Sequence, residues 1–342
     1  MSTPDPVSTQ RNYPLVTIAI PTFNRAPLLR DCVASALSQT YRHFEVLVSD
    51  NASTDETREI LSQFSDGRLR VIGQETNIGL LPNWNACLAE ARGDYVIFLS
   101  DDDRIAPWLL ERCVGVIGRQ AQVPIVVTLS NLRVASVQKT WPARTSRSLE
   151  TGICDGTEIL VEYLTNHISV SMCSIMLRTE LLRARGGIPL DLPHAADVAA
   201  WAPLLFLGKA GFVNEACATY HDHDISETAR LGIEQLLCDG WKVAALISYV
   251  ANQQISDLPQ RRIIQLQIRR GFARRGLMAL SYYRHIGGSL REILSCVWRF
   301  RDELSHVDMT AALRFGATIC CPRPIAERIR RLKQTVPDLL AS

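Results

Sequence analysis

With 342 residues, 47% of them apolar and 21% charged, the chain has the make-up of a globular protein, which excludes a disordered or fibrous one. Its length suits one large domain plus a smaller appendage, and no apolar run approaches the roughly 18–20 residues that cross a bilayer. The net charge of +2 points to no polyanionic partner, but it is uneven: residues 261–342 hold 16 Lys/Arg and 6 Asp/Glu, a surplus of +10, whereas residues 1–260 hold 21 and 29, a deficit of −8.

Met1–Asn12 is polar, carries two prolines and reads as a mobile leader. It shows no signal-peptide pattern, which predicts a reduced, cytoplasmic protein. Leu15–Pro21 is an apolar, β-branched run, the pattern of a strand buried on both faces. Ala26–Gln39 has helical spacing, with Leu29, Val33, Ala36 and Leu37 on one face. Phe44–Ser49 is a second strand and Thr54–Phe64 a second helix, with Ser53 or Thr54 placed to cap it. Arg68–Ile72, Leu81–Ala91 and Tyr95–Leu99 continue as strand, helix, strand. Strands separated by short helices predict an α/β fold with a mostly parallel central sheet.

Pro107–Gly118 reads as a further helix, Ile125–Leu129 and Cys173–Leu177 as strands, and Lys139–Thr151 as loop. Ala195–Leu207 reads as helix and Phe212–Tyr220 as a short strand. From about Ser226 only helical patterns remain, interrupted at Pro259, Gly287-Gly288 and Pro322/Pro324. The expected organisation is a leader over 1–12, a catalytic domain over 13–228 and a basic helical region over 229–342. The ten cysteines show no C-x-x-C pair or metal-ligand spacing. Cys87 and Cys113 fall among apolar residues at helical spacing and read as small hydrophobes.

Ligands of open α/β sheets gather outside the carboxyl ends of the strands. Three strands here end in polar residues at that edge: Thr22-Phe23-Asn24-Arg25, Asp50-Asn51 and Ser100-Asp101-Asp102-Asp103. Three consecutive carboxylates after a buried strand repel one another, and a divalent cation is the obvious group to offset that. Mg²⁺ or Mn²⁺ held by one or two carboxylates plus substrate phosphates would make this a nucleotide-pyrophosphate site. The plainer alternative is that Asp101–Asp103 turn the chain and cap the helix near Pro107. Asp50 reads equally as part of a polar capping loop or as an acceptor for a base or ribose.

Six ordered segments carry a family resemblance: Pro21–Arg25, Ser38–Tyr41, Glu45–Asp55, Asn77–Gly79, Gly93–Tyr95, and Leu99–Asp103 with Pro107. In order and spacing, over roughly residues 15–225, they resemble the family 2 glycosyltransferases. That resemblance implies a GT-A-type nucleotide-sugar-binding domain, transfer with inversion from a nucleoside-diphosphate sugar (a UDP-sugar, by the family's habit), and Mn²⁺ or Mg²⁺. It further implies an acceptor hydroxyl on a glycan, a lipid-linked molecule or a small molecule, as in bacterial surface polysaccharide or glycoconjugate synthesis. Thr22, Phe23 and Asn24 would line the base pocket, with Asp50 and Asn51 beside them. Asp50 would hold the base, Asp102 the ribose or sugar, and Asp103 the metal. Ser100 stands where the family more often has an acid.

Asp197, followed a turn later by Trp201, matches the family's general base, although many members have Glu-Asp where this chain has Ala196-Asp197. His194 is the second candidate. Tyr220-His221-Asp222-His223-Asp224 resembles a Tyr-Arg-x-His segment. His223 would complete the metal site, and His221 replaces an arginine that would contact phosphate. Two histidines two residues apart on a strand point the same way.

The arginine pairs at 261/262, 269/270 and 274/275 fit a basic amphipathic helix on an anionic membrane face. They equally fit a solvated face packed on the catalytic domain or a second subunit, as in a homo-oligomer. No nucleic-acid motif accompanies the charge. Two rivals to a transferase are a nucleotidyltransferase, which wants a glycine-rich loop that Thr22–Pro27 lacks, and a non-catalytic binding protein on the same fold.

Overall fold

The computed structural model describes residues 13–118, 123–135, 138–222 and 232–320. These form two compact units, one from residues 13–163, 167–191 and 196–222, the other from 164–166, 192–195 and 232–320.

The first unit opens with β1 (Val16–Thr22), α1 (Ala26–Leu37), β2 (Phe44–Asp50), α2 (Thr57–Ser62), β3 (Leu69–Gly73), α3 (Leu80–Glu90) and β4 (Tyr95–Phe98). All seven residues of β1 are buried, as an apolar strand covered on both faces requires. On α1 the residues facing the sheet are Leu29, Cys32, Val33 and Ala36. β3, β2, β1 and β4 lie side by side in that order and all parallel. In this register Thr22 stands opposite Asp50, so the polar residues after β1, β2 and β4 share one edge. Gly93 lets the chain enter β4 closely: a Cβ there would lie 2.5 Å from the Thr17 amide nitrogen.

Beyond β4 the sheet is mixed. β5 is Arg104–Ile105, α4 Leu109–Ile117, β6 Ile125–Val134, β7 Lys139–Trp141, β8 Gly152–Asp155, α5 Gly156–Leu164, β9 Ile175–Arg178, α6 Thr179–Ala184, α7 Ala196–Trp201 and β10 Lys209–Asp222. β9 inserts antiparallel between β4 and β6, and β10 runs parallel to β6. β5 pairs antiparallel with β10, joining the segment after the aspartates to the end of that strand.

Several elements differ from the sequence reading. Part of the expected loop 139–151 is β7, an edge strand exposed along its whole length. The strand expected over Phe212–Tyr220 extends to Lys209–Asp222, with register shifts on either side of Ala216. The helix expected to start at Thr54 starts at Thr57. Neither Ser53 nor Thr54 caps it; the Asp55 carboxylate instead accepts from the Thr57 N–H and hydroxyl, at 3.1 and 2.6 Å. Ala195–Leu207 is a short α-helix followed by a 3₁₀ stretch, Ala202–Leu207, with Pro203 in its first turn, where a residue without an N–H is tolerated.

The second unit contains α8 (Ile233–Gln254), α9 (Leu258–His285), α10 (Leu290–Arg299), α11 (Arg301–Leu304) and α12 (Met309–Cys320). Its core joins Ile233, Leu237, Leu277, Leu280, Ile293, Cys296, Phe300 and Leu304. Pro259 begins α9 rather than breaking it, with the Asp257 carboxylate accepting the Gln260 N–H at 2.8 Å. Among the described residues no helix is long and apolar enough to cross a membrane.

Candidate active site

The loops after β1 and β2 are sewn together. The Asn51 N–H donates to the Thr22 carbonyl at 2.9 Å, and the Asn24 N–H to Ser53 Oγ at 2.9 Å. Asn24 Oδ1 accepts the Thr54 N–H at 2.8 Å, and the Ala26 N–H donates to Asp55 Oδ2 at 2.9 Å. Both loops turn through left-handed residues, Asn24 at φ 53° and Ala52 at φ 62°. Asn tolerates that conformation, whereas Ala pays about 1 kcal/mol or more for it. The Phe23 ring is left 39% exposed on this platform, a flat face open to a planar group.

Asp50 is buried. Its Oδ1 accepts the Ser53 N–H at 2.9 Å, and its Oδ2 lies 3.8 Å from the exposed Arg58. Asn51 beside it is also buried. Its amide donates to Asn77 Oδ1 (2.8 Å) and the Gly79 carbonyl (3.3 Å), and accepts the Ile78 N–H (2.9 Å). The Asn51 side chain therefore ties down the Asn77–Gly79 turn, where Gly79 sits at φ 92°. Asn51→Ala is expected to lower the unfolding free energy by about 2 kcal/mol, because it removes three hydrogen bonds that hold the turn, each worth about 0.5–1.5 kcal/mol. Urea denaturation checks this; an unchanged midpoint would remove Asn51 from that role.

The acidic corner follows β4. Asp101, Asp102 and Asp103 are all buried. Asp101 accepts the Thr22 hydroxyl at 2.7 Å. Arg25 Nη1 lies 2.5 Å from Asp102 Oδ2 and 3.4 Å from Asp101 Oδ1. Burial pushes the Asp101 carboxyl up to about 7, against the pull of Arg25 and with a push from Asp102. Asp103 lies deeper and accepts the His221 backbone N–H at 2.9 Å. Burial first, and then the Asp102 charge, raises it well above the ordinary carboxylate range.

β10 brings its end to the same corner. The Tyr220 hydroxyl is raised by burial first and then by Asp103, Asp222, Asp102 and Asp197, which puts Asp197, in the first turn of α7, within the electrostatic reach of the site. The His221 ring is lowered by burial, then by Arg104 and Arg133, and its buried Nδ1 has no hydrogen-bond partner. His223 lies outside the described residues. His194 belongs to the second unit, where its N–H donates to Asp239 Oδ2 at 3.1 Å.

These residues fit a divalent cation. Three adjacent carboxylates are buried together and Arg25 reaches two of them, a crowding that a cation would relieve, and His221, whose ring Nδ1 is unpaired, is joined to Asp103 through its backbone N–H. Carboxylate oxygens suit Mg²⁺ or Mn²⁺. Among the described residues no group of three or more His, Cys, Asp or Glu is disposed to chelate a metal by itself. The sequence reading gave no role to Arg25, Asp101 or Tyr220. For Arg25 a signal was present: a single cation four residues from a strand end, in a molecule whose neighbouring strand ends in three acids.

A parallel half-sheet with a rigid two-loop platform and a buried acidic corner at its carboxyl edge defines a nucleotide-sugar-handling transferase of the GT-A type. Residues 17–183 match the profile of glycosyl transferase family 2, and the chain carries a glycosyltransferase domain of that kind. It is 40% identical over 93 residues to the putative teichuronic acid biosynthesis glycosyltransferase TuaG of Bacillus subtilis, a match covering 27% of this chain and 37% of TuaG. Among solved structures it is similar to S. aureus TarS 1–349 in complex with UDP-GlcNAc, at 17% identity and TM-score 0.61, covering 92% of this chain and 91% of that one. The mannosyltransferase PcManGT of Pyrobaculum calidifontis, in complex with GDP-Man and Mn²⁺, gives 18% identity and TM-score 0.54 over 95% and 89% of the two chains. These two likenesses concern the fold.

Proposed function

We infer that the chain transfers a glycosyl residue, with inversion and in the presence of Mn²⁺ or Mg²⁺, from a UDP-sugar to an acceptor hydroxyl in the assembly of a surface polysaccharide or glycoconjugate. The observation that carries this reading is the burial of three adjacent carboxylates, Asp101 and Asp102 against Thr22 and Arg25 and Asp103 against the His221 N–H, at the edge where β1, β2 and β4 end. The complexes of TarS with UDP-GlcNAc and of PcManGT with GDP-Man and Mn²⁺ support the donor class.

In this reading the base lies on the Thr22-Phe23-Asn24 platform, with the Phe23 ring against its face and Asp50 accepting from its edge. Asp102 takes the ribose or sugar hydroxyls. Asp103, with His223 and the free nitrogen of His221 as further donors, would hold the cation. When bound, a divalent cation would neutralise pyrophosphate charge and make the nucleoside diphosphate a better leaving group. Asp197 removes the acceptor hydroxyl proton as that oxygen attacks the anomeric carbon. The new glycosidic bond forms as the bond to the diphosphate oxygen breaks, and that single displacement inverts the centre.

A thermal-shift series tests the reading. UDP with Mn²⁺ is expected to raise the melting temperature, since ligand at about 100 times its dissociation constant stabilises by about 2.7 kcal/mol. GDP, ADP and CDP are expected to give smaller shifts, and UDP without the cation the smallest. Equal behaviour of all diphosphates with and without Mn²⁺ would defeat the proposal.

A further inference from the structure

α9 contains seven arginines and not one acidic residue over its 28 positions. Six of the seven fall into two groups. Arg261 donates to the Ile255 carbonyl at 2.7 Å, Arg274 pairs with Asp308 at 2.6 Å, and Arg284 reaches the Gly288 carbonyl at 3.4 Å. Arg262, Arg269 and Arg270 are exposed and have no acidic partner among the described residues. Between them stand exposed aliphatic residues, Leu258 at 59%, Ile263 at 60% and Leu266 at 42%. At helical spacing 258, 262, 266 and 269 follow one another along one face, with 263 and 270 beside them. The opposite face buries Ile264 and Ile268. The helix packed alongside adds no negative charge: Gln265 Nε2 donates to the Ser248 carbonyl at 2.8 Å and lies 3.1 Å from Asn252 Oδ1, and the Ser248–Gln254 end of α8 is acid-free, with an exposed Tyr249.

We propose that this face, from Leu258 to Arg270, docks the protein on an anionic phospholipid surface. The helix carries too much charge to span a bilayer but has the make-up of one that lies in the headgroup layer, with guanidinium groups on lipid phosphates and aliphatic side chains inserted beneath them. A patch of about 18 Å, from the helical rise per residue, meets several headgroups at once. A second copy of the chain is the poorer occupant, because a two-fold contact would bring three unpaired arginines against their own equivalents. The inference is independent of the donor chemistry proposed above and would survive its failure.

The test is flotation of the full chain with vesicles of phosphatidylcholine alone and of phosphatidylcholine mixed with phosphatidylglycerol. The wild-type protein is expected to float with the anionic vesicles only, and less so as salt rises. Arg262→Gln/Arg269→Gln/Arg270→Gln is expected to weaken that binding on the order of 100-fold, at about fivefold per arginine. Ile263→Ser/Leu266→Ser is expected to weaken it on the order of tenfold. All five substituted positions are exposed, so both variants are expected to melt like the wild type, which circular dichroism checks. Equal flotation with neutral vesicles, no flotation at all, or wild-type binding by the triple-arginine variant overturns the proposal. So does light scattering that finds a wild-type dimer which the triple variant loses.

Discussion

The Asp103→Asn protein is expected to fold as stably as the parent without cation, yet to lose both the Mn²⁺-dependent stabilisation by UDP and about 10³-fold of its turnover. The two halves have separate causes. Asparagine keeps an oxygen that accepts the His221 N–H, now 2.9 Å from Asp103 Oδ1, so no buried donor is stranded. It also removes a charge that is unfavourable in this setting, since burial and the neighbouring Asp102 already hold the Asp103 carboxyl well above its ordinary range. The loss of turnover follows from losing a cation whose charge stabilisation is worth several kcal/mol. Melting curves with and without Mn²⁺ and UDP, together with diphosphate release, measure both. A variant that kept the Mn²⁺-dependent shift would remove Asp103 from the site.

Asp197→Asn is expected to separate binding from transfer. The UDP and Mn²⁺ shift stays at its parental size, because in the proposed reaction Asp197 acts on the acceptor. Transfer falls by about 10²–10⁴, the range for loss of a positioned general base. His194→Gln is the comparator: its backbone, which makes the contact to Asp239, is unaffected by the change, and turnover is expected to hold. If His194→Gln lost transfer while Asp197→Asn kept it, the base assignment would reverse.

Much of the first unit was legible in the chain itself. The alternation from Leu15 to Leu99 placed β1 to β4 within a residue or two, and β1, β2 and β4, covered on both faces, leave nearly unbroken apolar runs. The three polar strand ends were legible for the same reason. β9 was read as a strand, but nothing in a four-residue run says that it enters antiparallel between β4 and β6. β7 was hidden because Lys139–Trp141 is exposed on every side chain and carries no alternation. Asn51 also ties down the Asn77–Gly79 turn, a contact its position after a strand does not disclose, because the partners lie far along the chain. Arg25 and Tyr220 gained their meaning from elements far apart in sequence that share one sheet edge.

The seam between the loops after β1 and β2 has a bearing on how such an enzyme changes donors. Four hydrogen bonds cross it at Thr22, Asn24 and Ala26, so neither segment can drift without unpairing groups on the other. Exchanging one segment for that of a relative would break the join, whereas exchanging both as a block would preserve it. On the base placement proposed above, preference for one base over another would travel as a cassette of both segments.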